Sequence, residues 1–280
     1  MSLASSLLAA PSHLRCEYQT NPLGLTEPHP RLCWRMHDAA RQARQTAYQI
    51  LVAASRSAIE WDQGDLWDSG RVVSDQNTHV AYAGKPLASL QRCYWKVRVW
   101  NQAQQVSPWS EAQTWEMGLL TAKDWQTPWI APHDDGPLEC SSPCPLLRCD
   151  FALPGPVAWA RLLITARGLY QAHLNGQRVS EQLFAPGWTD YRFRLPVQMY
   201  DVTALMQTGA NTLGAILGDG WYRGHLAWHK PSNRNFYGST LQLRAQLEIE
   251  LSNGTRLTLG TSDQWRSTLE GPIRASDIYH

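Results

Sequence analysis

Long apolar runs are missing from this 280-residue chain. Nowhere do about 18 apolar residues follow one another, the length that a membrane-spanning helix requires. An excess of either charge is also missing, since 25 Lys and Arg stand against 24 Asp and Glu. The chain therefore carries no one-signed field to recruit a polyanion or an acidic lipid surface, and neither nucleic acid nor membrane is expected as a partner. The six cysteines include no CxxC pair, and no histidine follows them at zinc-ligand spacing. Free thiols in a reducing compartment are the simplest account of them. The opening residues MSLASSLLAAPSHLRCE hold a short apolar run but no basic segment ahead of it, so export is not expected and the reading is a cytoplasmic protein. No Gly-rich dinucleotide fingerprint, Walker loop or nucleophile elbow occurs, which removes the usual nucleotide-binding and hydrolase signatures. Only four phenylalanines are present, against 14 tryptophans and ten tyrosines. Fourteen indoles exceed what two modest β cores need, so several belong at surfaces or interfaces.

What is there reads as all-β and as about two domains by length. Residues 13–119 run as short aromatic and β-branched segments between turns: RLCWRMH (31–37), TAYQILVAAS (46–55), LWDSG (66–70), THVAYAG (78–84), CYWKVRVWN (93–101) and AQTWEMG (112–118). In CYWKVRVWN, Trp95, Val97 and Val99 alternate with Tyr94, Lys96 and Arg98, the mark of a half-buried antiparallel strand. The expected fold is an immunoglobulin or fibronectin III-like sandwich, with Tyr94 as the candidate tyrosine corner and Trp95, Trp100, Trp109 and Trp115 used in packing. Residues 120–146 change character. Five prolines between positions 121 and 149 fix φ and remove donors, so this stretch is a linker or a strap held over a neighbouring domain by Trp125 and Trp129.

Residues 147–280 read as a second, jelly-roll-like β-sandwich. WARLLITARG (159–168) is a buried strand. Asn175-Gly176 and Asn253-Gly254 each sit between alternating segments and predict two hairpins, with at most a short helix near 202–207 capped by Asp201.

The turns of this domain carry the chemistry. APGWTDYRFR places Trp188, Asp190 and Tyr191 after Pro186-Gly187, and GDGWYRG sets Asp219, Trp221, Tyr222 and Arg223 among glycines, with Trp228 close behind. Flat indole faces beside short donors and acceptors suit a sugar, which offers an apolar CH face and a ring of hydroxyls. The same residues equally suit docking on an adjoining domain, because Trp and Tyr are common interface anchors. A glycosidase needs two carboxyl groups flanking the scissile bond. Glu181, Asp190, Asp201 and Asp219 are available, but nothing in the sequence brings two together, and no catalytic pair is assigned. His173, His225 and His229 are read as hydrogen-bonded loop histidines and not as metal ligands.

The order ARGLYQAHLNGQRV, APGWTDYRFR, YDVT and GANTLGAILGDGWYRG (166–224) resembles the amino-terminal β-sandwich region of bacterial α-L-rhamnosidases of the glycoside hydrolase family 78 type. LQRCYWKVRVWNQAQQVSPWSEAQTWE (90–116) resembles the end of a fibronectin type III domain. The rhamnosidase resemblance spans about residues 16–280. It implies an immunoglobulin-like domain, then this sandwich, then an α/α-barrel carrying the acidic catalytic residues that invert terminal α-L-rhamnosides. None of those catalytic positions falls in this sequence, and ASDIYH (275–280) looks like the passage into the barrel. The resemblance therefore implies a non-catalytic scaffold whose partners are L-rhamnosides or the missing barrel, with an exposed apolar patch where that barrel packs. An autonomous rhamnose-binding module and a non-enzymatic β-sandwich interaction protein are the alternatives. A related module binds L-rhamnose with calcium, so calcium is the one cofactor the resemblance raises, and its ligands cannot be placed on these residues.

Overall fold

The computed structural model describes residues 8–134, 136, 140–226 and 233–277. The chain divides into two compact units, 1–124 and 125–280.

In the first unit β1 (Ala9–Cys16), β2 (Arg31–His37) and β6 (Val80–Ala81) form one sheet. The other joins β4 (Trp67–Asp68), β3 (Gln45–Ala53), β7 (Arg92–Asn101) and β8 (Gln113–Glu116), with β5 (Val72–Val73) also paired to β3. A short helix, α1 (Arg56–Glu60), follows β3 and is capped by Ser55, whose Oγ accepts from the Ala58 amide. The alternation read in β7 is realised: Trp95, Val97 and Val99 are fully buried and pair with Val52, Ile50 and Tyr48 of β3. Trp34, Tyr82 and Trp115 complete this core. Trp100 and Trp109 pack outside it. Arg98 lies between them, its guanidinium carbon 5.3 and 4.6 Å from their ring centroids, while Arg71 and Lys96 extend the cation–π series. The expected tyrosine corner is corrected. Tyr94 packs with Leu51, Ala53 and Ile59, and the hydroxyl that reaches backbone belongs to Tyr82, donating to the Lys85 carbonyl at 2.7 Å. Strand β1 was not expected. Pro11, two bulges and a left-handed His13 break its period, and such a strand is tolerated because it lies at a sheet edge.

The second unit packs two antiparallel sheets face to face. One runs β13 (Gln198–Asp201), β10 (Val157–Arg167), β15 (Gln242–Leu251), β16 (Arg256–Gly260). The other runs β12 (Gln177–Arg178), β11 (Leu169–Leu174), β14 (Gly209–Gly218), β9 (Leu146–Leu153), β17 (Arg266–Thr268). Leu162, Ile164, Leu243, Leu247 and Ile249 of the first sheet meet Leu147, Leu174, Leu213 and Leu217 of the second. Both Asn-Gly turns form: Asn175 and Gly176 take φ of 51° and 80°, the left-handed pair that a two-residue hairpin demands. The predicted short helix is a single 3-10 turn, Thr203–Leu205, with the Asp201 carboxylate accepting from the Thr203 amide at 3.0 Å.

The proline-rich stretch behaves as a strap on this unit. Ile130 bridges Leu243, the Gln126 amide donates to the Gln246 side chain at 2.7 Å, and Arg244 and Arg167 lie over the rings of Trp125 and Trp129. All six cysteines are free. Burial pushes the Cys144 thiol up to about 11 and the Cys93 thiol up to about 12, so both are protonated and unreactive near neutrality.

Gly168, between β10 and β11, has φ +120°, and a Cβ there would stand 2.6 Å from both the Gly218 carbonyl oxygen and a Leu241 methyl. Gly168→Ala is expected to cost about 2 to 3 kcal/mol in urea unfolding, from the left-handed backbone and the overpacking together. Gly155→Ala, with open space around its Cβ, should leave the midpoint unchanged.

Candidate functional site

The turns singled out in the sequence converge at one end of the second sandwich. The segment after β12 is held by backbone: Tyr170 donates its amide to the Ala185 carbonyl at 2.8 Å, and Gln198 donates to the Pro186 carbonyl at 3.0 Å across a cis Ala185–Pro186 bond. This presents Trp188 beside Trp221, which is carried on the four-residue helix α2 (Gly220–Arg223). The two indoles stack with centroids 5.7 Å apart and planes inclined by 5°. Phe184 meets Trp221 edge-on at 6.1 Å, and the Trp188 indole donates weakly to the Tyr237 hydroxyl at 3.4 Å. Tyr191 bridges Tyr222 and Tyr237, and its hydroxyl donates to the Gly187 carbonyl at 2.6 Å. Burial pushes the Tyr191 hydroxyl up to about 12. Arg192 lies over the rings of Phe193, Phe236 and Tyr237 while its guanidinium holds both oxygens of Asp190. That pairing keeps the Asp190 carboxyl below the usual carboxylate range.

The outer surface of this network is apolar over a wide area. Trp188 is 57% exposed, Phe184 58%, Phe236 58%, Phe193 86% and Leu183 67%. Phe184, Phe193, Phe236 and Tyr237 were not anticipated. With only four phenylalanines in the chain, finding three of them exposed around one stacked indole pair is the compositional signal that could have pointed there.

Three of the predicted contact residues face inward instead, which corrects the surface reading of the GDGWYRG turn. Asp219 and Arg223 are wholly buried and Tyr222 is 8% exposed. Gly220 has φ +49°, and a side chain there would run into Leu169, so the turn is folded down onto β11. Arg223 Nε donates to one Asp219 oxygen at 2.6 Å, and Arg234 Nη2 donates to the other at 2.7 Å. Arg234 Nη1 in turn donates to Asp277 at 2.9 Å, and the His225 amide reaches the same Asp277 oxygen at 3.0 Å, with His225 Nδ1 at 2.7 Å. Arg223 Nη2 donates to Ser142, and Ser141 accepts the amides of Ser276 and Asp277. Two carboxylates and two guanidiniums thus neutralise one another away from water, the condition for burying them at all.

His173 and His225 are hydrogen-bonded, to Gln171 and Asp277. Trp228 and His229 lie outside the described residues. Among the described residues no three His, Cys, Asp or Glu groups gather as metal ligands. Asp201 is paired with Arg161, and Glu181 with Arg178, so neither these nor Asp190 and Asp219 present a free carboxylate pair.

Removing the Asp219 carboxylate leaves the buried Arg223 guanidinium without its acidic partner and Arg234 with Asp277 alone. Asp219→Ala should therefore lose about 3 to 5 kcal/mol of unfolding free energy. Trp188→Ala, on the exposed face, should stay within about 0.5 kcal/mol of the parent in the same denaturant titration.

Comparison with known proteins accounts for both units. Residues 11–121 match the Rha78A-like, N-terminal immunoglobulin domain, and residues 155–280 match the alpha-L-rhamnosidase N-terminal domain. An alpha-L-rhamnosidase of Formosa agariphila is 37% identical over 98% of this chain, and one of Alteromonas sp. is 35% identical over 92%. The chain spans 30% and 28% of the lengths of these two relatives. Among solved structures, the Streptomyces avermitilis alpha-L-rhamnosidase complexed with L-rhamnose superposes with a TM-score of 0.88 at 27% identity, over 96% of this chain and 42% of that one. The alpha-L-rhamnosidase from Dictyoglumus thermophilum gives 0.86 at 31% identity, over 99% of this chain and 31% of that one. By both of its units this chain belongs to the α-L-rhamnosidases, of which it forms the amino-terminal region.

Proposed function

We propose that the chain is the amino-terminal scaffold of an enzyme that hydrolyses terminal α-L-rhamnosides with inversion, and that the bond is cleaved on a helical barrel outside these residues. The described residues include no α-helix longer than the five residues of α1, and no free carboxylate pair lies among the groups singled out. The single observation that carries the reading is the exposed face around the Trp188–Trp221 stack. Leu183, Phe184, Trp188, Phe193 and Phe236 together form a broad apolar surface, whereas a shallow sugar site pairs one aromatic plate with unengaged polar groups. Its polar neighbours are already committed: Asp190 to Arg192, and Asp219 to Arg223 and Arg234. Such a face suits protein docking, in which a rigid aromatic centre is covered and ringed by lesser contacts. The body that covers it is the catalytic portion corresponding to the remaining length of the relatives.

Two measurements test this. Assayed on an aryl α-L-rhamnoside, the 280 residues alone should show no turnover, and a version extended to the length of the relatives should be active. Turnover by the chain alone would refute the assignment. In light scattering the isolated chain should self-associate as concentration rises, and Trp188→Ser with Phe236→Ser should shift it toward monomer. A parent chain that stays monomeric at high concentration removes the case for a docking face.

A further inference from the structure

Phe184 stands apart from the other exposed side chains of the aromatic face. Of Leu183, Phe184, Trp188, Phe193 and Phe236, it alone has a left-handed backbone, with φ +55°. A bulky residue enters that region at a cost, because its Cβ crowds a carbonyl oxygen, whereas glycine enters it freely and asparagine readily. The surrounding backbone fixes the conformation from both sides. The Gly187 amide donates to the Phe184 carbonyl at 2.9 Å, and the next residue, Ala185, is buried and accepts the Tyr170 amide at 2.8 Å. The fold therefore needs a left-handed turn at position 184, but it does not need a phenylalanine to make it.

Within the chain the ring returns little for that strain. Phe184 is 58% exposed, and its ring contact is the edge-on approach to Trp221 at 6.1 Å. Tyr18 shows what a left-handed aromatic used internally looks like: its φ is 63°, its hydroxyl lies 2.8 Å from His79 Nε2, and the Arg31 guanidinium carbon sits 5.0 Å from its ring centroid. Phe184 has no such anchorage. Strain of this kind persists where it serves a contact, and the free side of the Phe184 ring faces outward.

We propose that Phe184 is the anchor of the docking face, the side chain that enters an apolar pocket on the catalytic portion and decides whether that portion stays docked. The inference rests on the docking reading and goes beyond it by assigning the interface energy to one residue. A few rigid aromatic side chains carry most of the energy of an interface, and one held in place beforehand loses little freedom on association. The occupant is the catalytic portion, because this chain makes up 30% and 28% of two relatives that it matches over 98% and 92% of its own length.

The test is hydroxyl-radical footprinting of Trp188, Phe193 and Phe236 in the 280-residue chain and in a version extended to the length of the relatives, with thermal unfolding of the 280-residue chain alongside. In the extended parent these rings should be labelled about tenfold more slowly than in the 280-residue chain. Phe184→Asn should restore about tenfold faster labelling in the extended chain, the loss of one anchor. The same substitution should leave the thermal midpoint of the 280-residue chain unchanged or higher, because asparagine accepts the left-handed backbone. Val73→Asn, at a 79% exposed apolar position of the first unit, should leave the labelling of the three rings unaltered. Equal labelling of the two parent lengths overturns both the anchor and the docking reading. Slow labelling that persists in the extended Phe184→Asn chain keeps the docking and overturns the anchor. A lowered midpoint in the 280-residue Phe184→Asn chain also overturns it, since the ring would then serve the fold.

Discussion

The buried quartet of Asp219, Arg223, Arg234 and Asp277 is the constraint on which the candidate docking surface depends. Each carboxylate satisfies at least one guanidinium, and each guanidinium spans two partners drawn from different segments. Backbone amides and serines take up much of the remaining capacity. Charges held this way gain little net stability over apolar packing, but they tolerate only one arrangement, since any displacement strands a charge away from water. The quartet therefore fixes where α2 sits, and α2 carries Trp221 against Trp188. It also ties the turn before α2 to the segment around Ser276 and Asp277, so the chain leaving the sandwich is registered against the aromatic face.

That division of labour explains why Trp221 stays partly exposed while Asp219, Tyr222 and Arg223 of the same short motif are buried. In GDGWYRG the i,i+4 spacing of Asp219 and Arg223 puts both on the inner side of a single helical turn. Trp221 falls between them on the outer side. Gly220 is needed because the turn begins left-handed and pressed onto Leu169. A surface built this way is rigid before it meets a partner, which lowers the ordering cost of association.

Much of the fold was legible in the sequence because it rests on local rules. The alternation in 93–101 and 241–251 fixes which faces are buried, and Asn-Gly at 175–176 and 253–254 can hardly be anything but a hairpin turn. What was hidden was non-local. Asp219 and Arg223 could be paired by spacing alone, yet Arg234 and Asp277 enter the same network from 15 and 58 positions beyond Asp219, and no sequence pattern links them. Read without those partners, Asp219 and Arg223 look like surface groups available to a ligand. Strand β1 was hidden for the opposite reason, since Pro11 and two bulges erase its period although Leu14 and Cys16 pack into the core. Tyr94 and Tyr82 show the same limit: both are tyrosines near strand ends, and only the tertiary fold decides whose hydroxyl meets backbone.

What surrounds the Trp188 ring bears on the kind of partner the candidate surface suits. Around Trp188 the neighbours are Phe184, Phe193 and Phe236, all exposed, and the ionic groups are already matched. Water lies against a broad apolar area there, so the favourable change is its removal by a large body. Counting indoles alone would not separate Trp188 from the buried Trp34, Trp95 and Trp115; the exposure of its neighbours and the ion pairs already made do.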